Sequence, residues 1–204
     1  MVHPSPLSPK RERQLIDQVH RGDRGAMGEL LGAYHKQVYH LCLRMIGREA
    51  DAADLAQDVL LKAVQHIDGF KGDARFSTWL YRIAMNLSIS QLRRNKVRAT
   101  TSLDQPLGGG DGTEEQERSA LLADEREPGP VQSVQQKERL DALAEALERM
   151  DEELRGIILL RDIQEMDYQQ IAEVMGVPLG TVKSRLFRAR LALRQEMLRN
   201  GTTG

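Results

Sequence analysis

The residues of this chain best suited to chemistry are cations and aromatic rings, arranged to hold a polyanion rather than to break a bond. In DYQQIAEVMGVPLGTVKSRLFRARLALRQEM, Asp167 to Met197, a break through Gly176 and Pro178 separates a short apolar series from a long one. At about 100° per residue, Val182, Leu186, Ala189 and Leu193 share one side of the second series, while Ser184, Phe187 and Arg188 point the other way. Lys183, Arg190 and Arg194 lie on the flanks, where cations can hold phosphates on either side of a groove. From Leu179 to Arg199 six Lys/Arg stand against one Glu, a local charge of +5. Arg-rich amphipathic helices are also common as solvated faces, and helix-turn-helix geometry occurs in packing hairpins. The preceding short helix and the Gly-Val-Pro turn favour a helix that reads DNA.

A second set lies upstream. Phe70, Phe76, Trp79 and Tyr81, four of the eight aromatic residues, fall within twelve positions and are interleaved with Lys and Arg. Single-stranded nucleic acid is held in this way, because bases stack on rings while cations neutralise phosphates. Phe76 and Trp79 can equally be core, and Leu80 and Ile83 read as core. Phe70 sits in the loop IDGFKGDAR, residues 67–75, and reads as exposed; with Asn86 it is a candidate reader of bases.

Catalytic and metal constellations are not recognisable. His3, His20, His35, His40 and His66 form no HExxH or Cys/His pattern, and Cys42 is the single cysteine, so neither a metal site nor a disulfide framework is expected. His35 and Cys42 read as ordinary helix residues. No Walker loop, no paired carboxylates in a glycine-rich setting and no nucleophile with a base are found, so no enzyme and no cofactor are expected. The N-terminal MVHPSPLSPKRER lacks the apolar run of a signal peptide, and no stretch of about 18 apolar residues occurs. A cytoplasmic chain without a membrane segment is the expectation.

The elements that must position these residues are helices. The 204 residues suffice for two small domains, and the net charge of −1 hides a segregation of charge. Arg82 to Arg98 holds five basic residues and no acid, whereas Thr101 to Gln136 holds eight acids and two arginines. After a Pro/Ser-rich leader expected to be disordered, helices are predicted from Arg11 to His20, from about Gly25 to Ile46, from Asp51 to His66 and from Phe76 to Lys96. The second carries an apolar stripe of Leu30, Leu31, Tyr34, Val38, Leu41 and Met45. The third buries Ala52, Leu55, Ala56, Val59 and Ala63, and presents Asp54, Gln57, Asp58 and Lys62 on a face that by itself reads as solvated. Glycines 108 to 110 and Pro128-Gly-Pro130 mark a flexible acidic linker, with Leu121 and Leu122 as a brief docking turn. Helical periodicity resumes at Val134, and a further helix starts at Asp151-Glu152. Two helices thus precede the reader and build a four-helix C-terminal domain. The fold expected is all-α, with two small helical domains joined by the linker, the second ending in a helix-turn-helix.

In this order the parts resemble a bacterial sigma-70-family factor of the extracytoplasmic-function group. The likeness rests on Asp54-Leu-Ala-Gln-Asp-Val59, Phe70-Lys-Gly-Asp73, Phe76-Ser-Thr-Trp-Leu-Tyr-Arg-Ile-Ala84 with Asn86, and Tyr168 through Arg190. It implies region 2 over residues 10–98, a linker over 99–133 and region 4 over 134–199. It also implies that Asp54, Gln57, Asp58 and Lys62 dock on the clamp of the largest subunit of core RNA polymerase, with the flap as a second contact. Phe70, Lys71, Asp73 and Asn86 would engage an unpaired base of the minus-ten element. Thr181, Lys183, Ser184, Phe187, Arg188 and Arg190 would engage the minus-thirty-five element, Arg188 by a bidentate contact to guanine. Promoter DNA and an anti-sigma factor are the other implied partners. The chain departs from the group at Ser90, where an acid is usual, and in its long glycine-rich linker. A free-standing helix-turn-helix regulator with an N-terminal sensing domain is the rival reading, although no dimerisation device is visible. A linker of this length allows the domains to lie apart or together.

Overall fold

The computed structural model describes residues 6–101 and 132–199, and among these it is helical with no strand. Helices α1 (Pro9–His20), α2 (Arg24–Ile46), α3 (Glu49–His66) and α4 (Phe76–Thr101) form an N-terminal unit. Helices α5 (Gln132–Arg149), α6 (Glu152–Ile158), α7 (Tyr168–Met175) and α8 (Leu179–Arg199) form a C-terminal one. The five residues Leu159–Ile163 continue α6 as a π-helical turn. Of the linker expected over residues 99–133, residues 102–131, with the Leu121-Leu122 turn, lie outside the described residues, as do residues 1–5 of the leader.

Helix boundaries follow caps more than periodicity. The first helix begins at Pro9, two residues before the expected Arg11, because the Ser8 side chain accepts from Arg11 N and proline suits the first helical position. Asp23 caps α2 through the N–H groups of Gly25 and Ala26, and Asp151 caps α6 through those of Glu153 and Leu154. Asp167 and Gln170 form a reciprocal capping box at the start of α7. Gly47 ends α2 at φ +85°, and a Cβ there would stand 2.5 Å from Oε1 of Glu148. Left-handed backbone and close approach both call for glycine at this point.

The apolar stripes pack as their spacing requires. Leu30, Leu31, Tyr34, Val38, Leu41 and Met45 of α2 are buried, and so are Ala52, Leu55, Ala56, Val59 and Ala63 of α3. A fully buried leucine such as Leu30 contributes about 1.5–3 kcal/mol relative to exposure. Val182, Leu186 and Ala189 seat α8 on its own unit, and Leu193 is partly buried against the same core.

The two units lie together. Helix α7 packs on α4, and one continuous apolar cluster runs through both units. Gly156 of α6 lies so near α4 that a Cβ there would meet the Met85 methyl at 2.2 Å. Around this contact, Arg93 reaches Glu153 at 2.6 Å, Lys96 reaches Glu152 at 2.5 Å, and Arg185 pairs with Glu153 at 2.7 Å. Burial pushes the Glu152 carboxyl up, but the hydrogen bond from Lys96, its own backbone N–H and the charges of Lys96 and Arg93 prevail and hold it below the ordinary value.

Candidate nucleic-acid interface

The loop after α3 begins with a 3-10 turn, Ile67–Gly69, and brings Phe70 against the start of α4. Here the expectation of an exposed Phe70 is corrected: it is 4 % exposed. Its ring meets Phe76 edge-on at 5.6 Å and Trp79 at 5.4 Å, and Phe76 meets Tyr34 at 5.4 Å. Packing against two rings recovers more apolar contact than a solvated loop position would allow.

Buried as it is, Phe70 still lines a cavity of about 340 Å³, together with Lys71, Asp73, Thr78, Trp79 and Arg82. The loop supplies the first three of these residues and α4 the others. Thr78, Trp79 and Arg82 fall on one side of the helix, since positions three and four apart are neighbours. Glu173 of α7 completes the lining, so the C-terminal unit closes the cavity from the other side. The site therefore presents aromatic walls, two cations and two carboxylates. Asn86 is exposed one turn beyond Arg82 and does not line the cavity. The sequence reading missed Thr78, Arg82 and Glu173 as site residues. Helical spacing from Trp79 could have found the first two, whereas Glu173 belongs to a distant segment and no local signal marks it.

The second cationic surface is the outer side of α8. Pro178 precedes the helix, and its carbonyl accepts from Thr181 N and Val182 N. Lys183, Ser184, Phe187 and Arg188 are exposed, Phe187 by 73 %. Thr181 is half-buried and accepts the Ser184 hydroxyl on its carbonyl at 3.0 Å. Arg190 is bonded to Asp162 at 2.9 Å, and that hydrogen bond with the Asp162 charge raises its pKa. The arginine is thus already paired within the unit.

On α3, Asp54, Gln57, Asp58 and Lys62 are all exposed on the side away from the buried stripe. Leu61, 56 % exposed, and Val64 lie among them and make this a mixed acidic and apolar face. Elsewhere, Cys42 is buried, and burial pushes its thiol up to about 12, which leaves it protonated at neutral pH. Among the described residues no cluster of His, Cys, Asp and Glu could hold a metal ion, and no helix is long and apolar enough to cross a membrane.

Helical units with an aromatic, cationic cavity in the first and a helix-turn-helix with a cationic outer face in the second define a two-part nucleic-acid-binding protein. Known families divide the chain in the same way. Residues 30–98 match Sigma-70 region 2, and residues 140–193 match Sigma-70, region 4. The ECF RNA polymerase sigma factor SigW of Bacillus subtilis is 34% identical over 187 residues, 91% of this chain and 96% of that protein. The RNA polymerase sigma-H factor of Pseudomonas aeruginosa is 35% identical over 195 residues, 92% and 94% of the two chains. Among solved structures, CnrH in complex with the cytosolic domain of CnrY is similar at a TM-score of 0.62 and 24% identity, covering 95% of this chain and 99% of that one. The sigma factor RpoE of Bartonella quintana, in complex with the anti-sigma factor NepR, is similar at a TM-score of 0.61 and 23% identity, covering 84% and 95%. The chain belongs to the extracytoplasmic-function group of the sigma-70 family and is a sigma factor for transcription initiation by RNA polymerase. Sigma factors are DNA-binding regulators rather than enzymes.

Proposed function

We propose that this sigma factor recruits core RNA polymerase, recognises two promoter elements and favours opening of the duplex between them and the start site. Residues 10–98 act as region 2, 99–133 as linker and 134–199 as region 4. Asp54, Gln57, Asp58 and Lys62 dock on the clamp of the largest subunit, and the C-terminal unit meets the flap. Helix α8 lies in the major groove of the minus-thirty-five element. There Lys183, Ser184, Phe187 and Arg188 face the bases, with Thr181 at the helix start and Arg190 toward phosphate once Asp162 releases it.

The observation that carries the reading is the cavity that brings Phe70, Lys71 and Asp73 together with Trp79 and Arg82. Extruding a base costs a few kcal/mol, and stacking in a preformed aromatic site offsets roughly 1–3 kcal/mol per base. Melting then follows from binding the unpaired strand, with no hydrolysis. Asn86, outside the cavity but exposed on the same helix, contacts the neighbouring strand. The partner class for the free protein is an anti-sigma factor, in line with the complexes in which the similar structures were solved. The sigma factor itself acts in the cytoplasm, where the polymerase is.

Permanganate footprinting of promoter DNA tests this reading. Core polymerase with the chain should make thymines near the start site reactive, and core alone should not. Reactivity that is the same with and without the chain would refute it.

A further inference from the structure

The Phe70 loop is held from behind by a helix that lies outside the segment matched to region 2. That match begins at residue 30, whereas α1 spans Pro9–His20. Leu15 and Val19 are buried and seat α1 on α2, and Arg11 forks onto both carboxylate oxygens of Glu29 at 2.8 and 2.5 Å. The helix is thus tied to the N-terminal unit on its own account.

Two routes run from α1 to Phe70. His20, in the last turn, meets the Ile67 carbonyl through Nε2 at 3.3 Å, 47 positions away. A carbonyl only accepts, so this nitrogen carries the proton. The same carbonyl accepts from Phe70 N at 2.9 Å and closes the 3-10 turn on which the loop starts. The second route runs through rings. Glu12 accepts the hydroxyl of Tyr34, whose fully buried ring packs on Phe76 at 5.4 Å, and Phe76 meets Phe70 at 5.6 Å. Glu12 and His20 stand about two turns apart on one helix, so a single rigid body sets both the start of the loop and the rings beneath it. The loop needs such support, because IDGFKGDAR contains Gly69 and Gly72, the latter at φ +80°, and glycine has the most backbone freedom to lose. A loop ordered only on meeting the strand gives up that freedom at the moment of binding; a loop ordered beforehand does not.

From this geometry we propose that α1 is a positioning element for strand opening, with Glu12 and His20 as positioning residues that fix Phe70 in place before DNA arrives. This rests on the proposed function and adds to it a helix beyond the matched segment. Neither residue lines the cavity. Both act through Phe70, so they govern how fast the strand is opened and not how tightly the closed duplex or core polymerase is held.

The test uses the holoenzyme on a promoter that the wild-type chain opens, with 2-aminopurine at an unpaired minus-ten position. Opening rates are followed by fluorescence at rising holoenzyme concentration, so that the plateau gives the opening step and the half-saturation point gives initial binding. Glu12→Ala with His20→Leu should lower the plateau by roughly tenfold, the size of one or two lost hydrogen bonds, and leave half-saturation within about twofold. Glu12→Gln with His20→Gln, which keeps an acceptor for Tyr34 and an N–H for the Ile67 carbonyl, should hold the plateau within about twofold of wild type. A plateau rate does not depend on what fraction of the variant is folded. An unchanged plateau in the first pair would overturn the proposal, as would a plateau in the second pair as low as in the first. Half-saturation shifting as far as the plateau would also overturn it, by making α1 a support for the whole unit. Wild-type holoenzyme that opens no template would instead remove the proposed function, and this inference with it.

Discussion

The guanidinium of Arg155 donates from Nη1 to the carbonyl of Met45, 110 positions earlier, and from Nη2 to the carbonyl of Glu148. Met45 lies in the last turn of α2 and Glu148 in the last turn of α5. Terminal carbonyls of helices lack partners within their own helix and carry the negative end of the dipole. One buried cation therefore caps a helix of each unit. Burial pulls the guanidinium pKa down, and Glu148, Glu152 and Asp151 oppose that pull. Arginine stays charged at neutral pH regardless.

Arg155→Ala should separate the units and destabilise the free chain. It removes two charge-assisted bonds and leaves two carbonyls unpaired, a loss of about 2–3 kcal/mol. Urea denaturation monitored by helical circular dichroism checks this. A change below about 0.5 kcal/mol, the usual scatter of surface substitutions, would show that the cap is not holding the units together.

Acid should open the same contact. Glu152 has a lowered pKa, so its contribution is present above the unfolded-state value and is lost as pH falls through the folded one. The loss belongs below about pH 4.3, the ordinary glutamate value. A pair of fluorophores, one per unit, should report increasing separation on acidification through that range, and Glu152→Gln should abolish the step at that pH. Separation near neutrality would assign the contact to other groups.

Glu173 places a carboxylate in a cavity that also holds Lys71 and Arg82. On the proposed function a nucleotide phosphate enters this cavity, where the Glu173 carboxylate competes with it for the positive field of Lys71 and Arg82. Glu173→Gln should tighten binding of a single-stranded minus-ten oligonucleotide to the free chain by about twofold to fivefold, the scale of a partly solvated charge. Unchanged affinity measured by fluorescence anisotropy would contradict the competition.

Promoter choice and polymerase recruitment should separate cleanly by residue. Arg188→Ala on the outer side of α8 should cost about 1–3 kcal/mol of discrimination at one base pair of the upstream element and leave core affinity unchanged. Asp54→Ala with Asp58→Ala should lower core affinity and leave the ranking of promoters alone. Competition binding to core and transcription from paired templates measure the two effects. Loss of core binding in Arg188→Ala would make that residue structural.

Much of this was legible beforehand because helical periodicity is local. The stripe from Leu30 to Met45 and the inner side of α8 through Val182, Leu186 and Ala189 follow from spacing alone. What spacing misses is set by distant partners. Phe70 reads as exposed from its glycine-containing loop, yet Phe76 and Trp79 bury it. No local signal marks Arg155 as buried, because its site is made by the carbonyl of Met45, 110 positions earlier. Glu152 reads as an acid favoured by a helix start, and it is also the bond that Lys96 makes across the units. Nothing in a local window brings Glu173 to the Phe70 loop.

The central claim is that two reading surfaces act through polymerase, and transcription in vitro tests it most directly. Core polymerase with the chain, offered a library of promoter fragments, should initiate only on fragments that share an upstream and a downstream element at fixed spacing. Phe70→Ala should lose the downstream preference and Arg188→Ala the upstream one. Initiation without sequence preference, or no initiation at micromolar chain, would contradict the account.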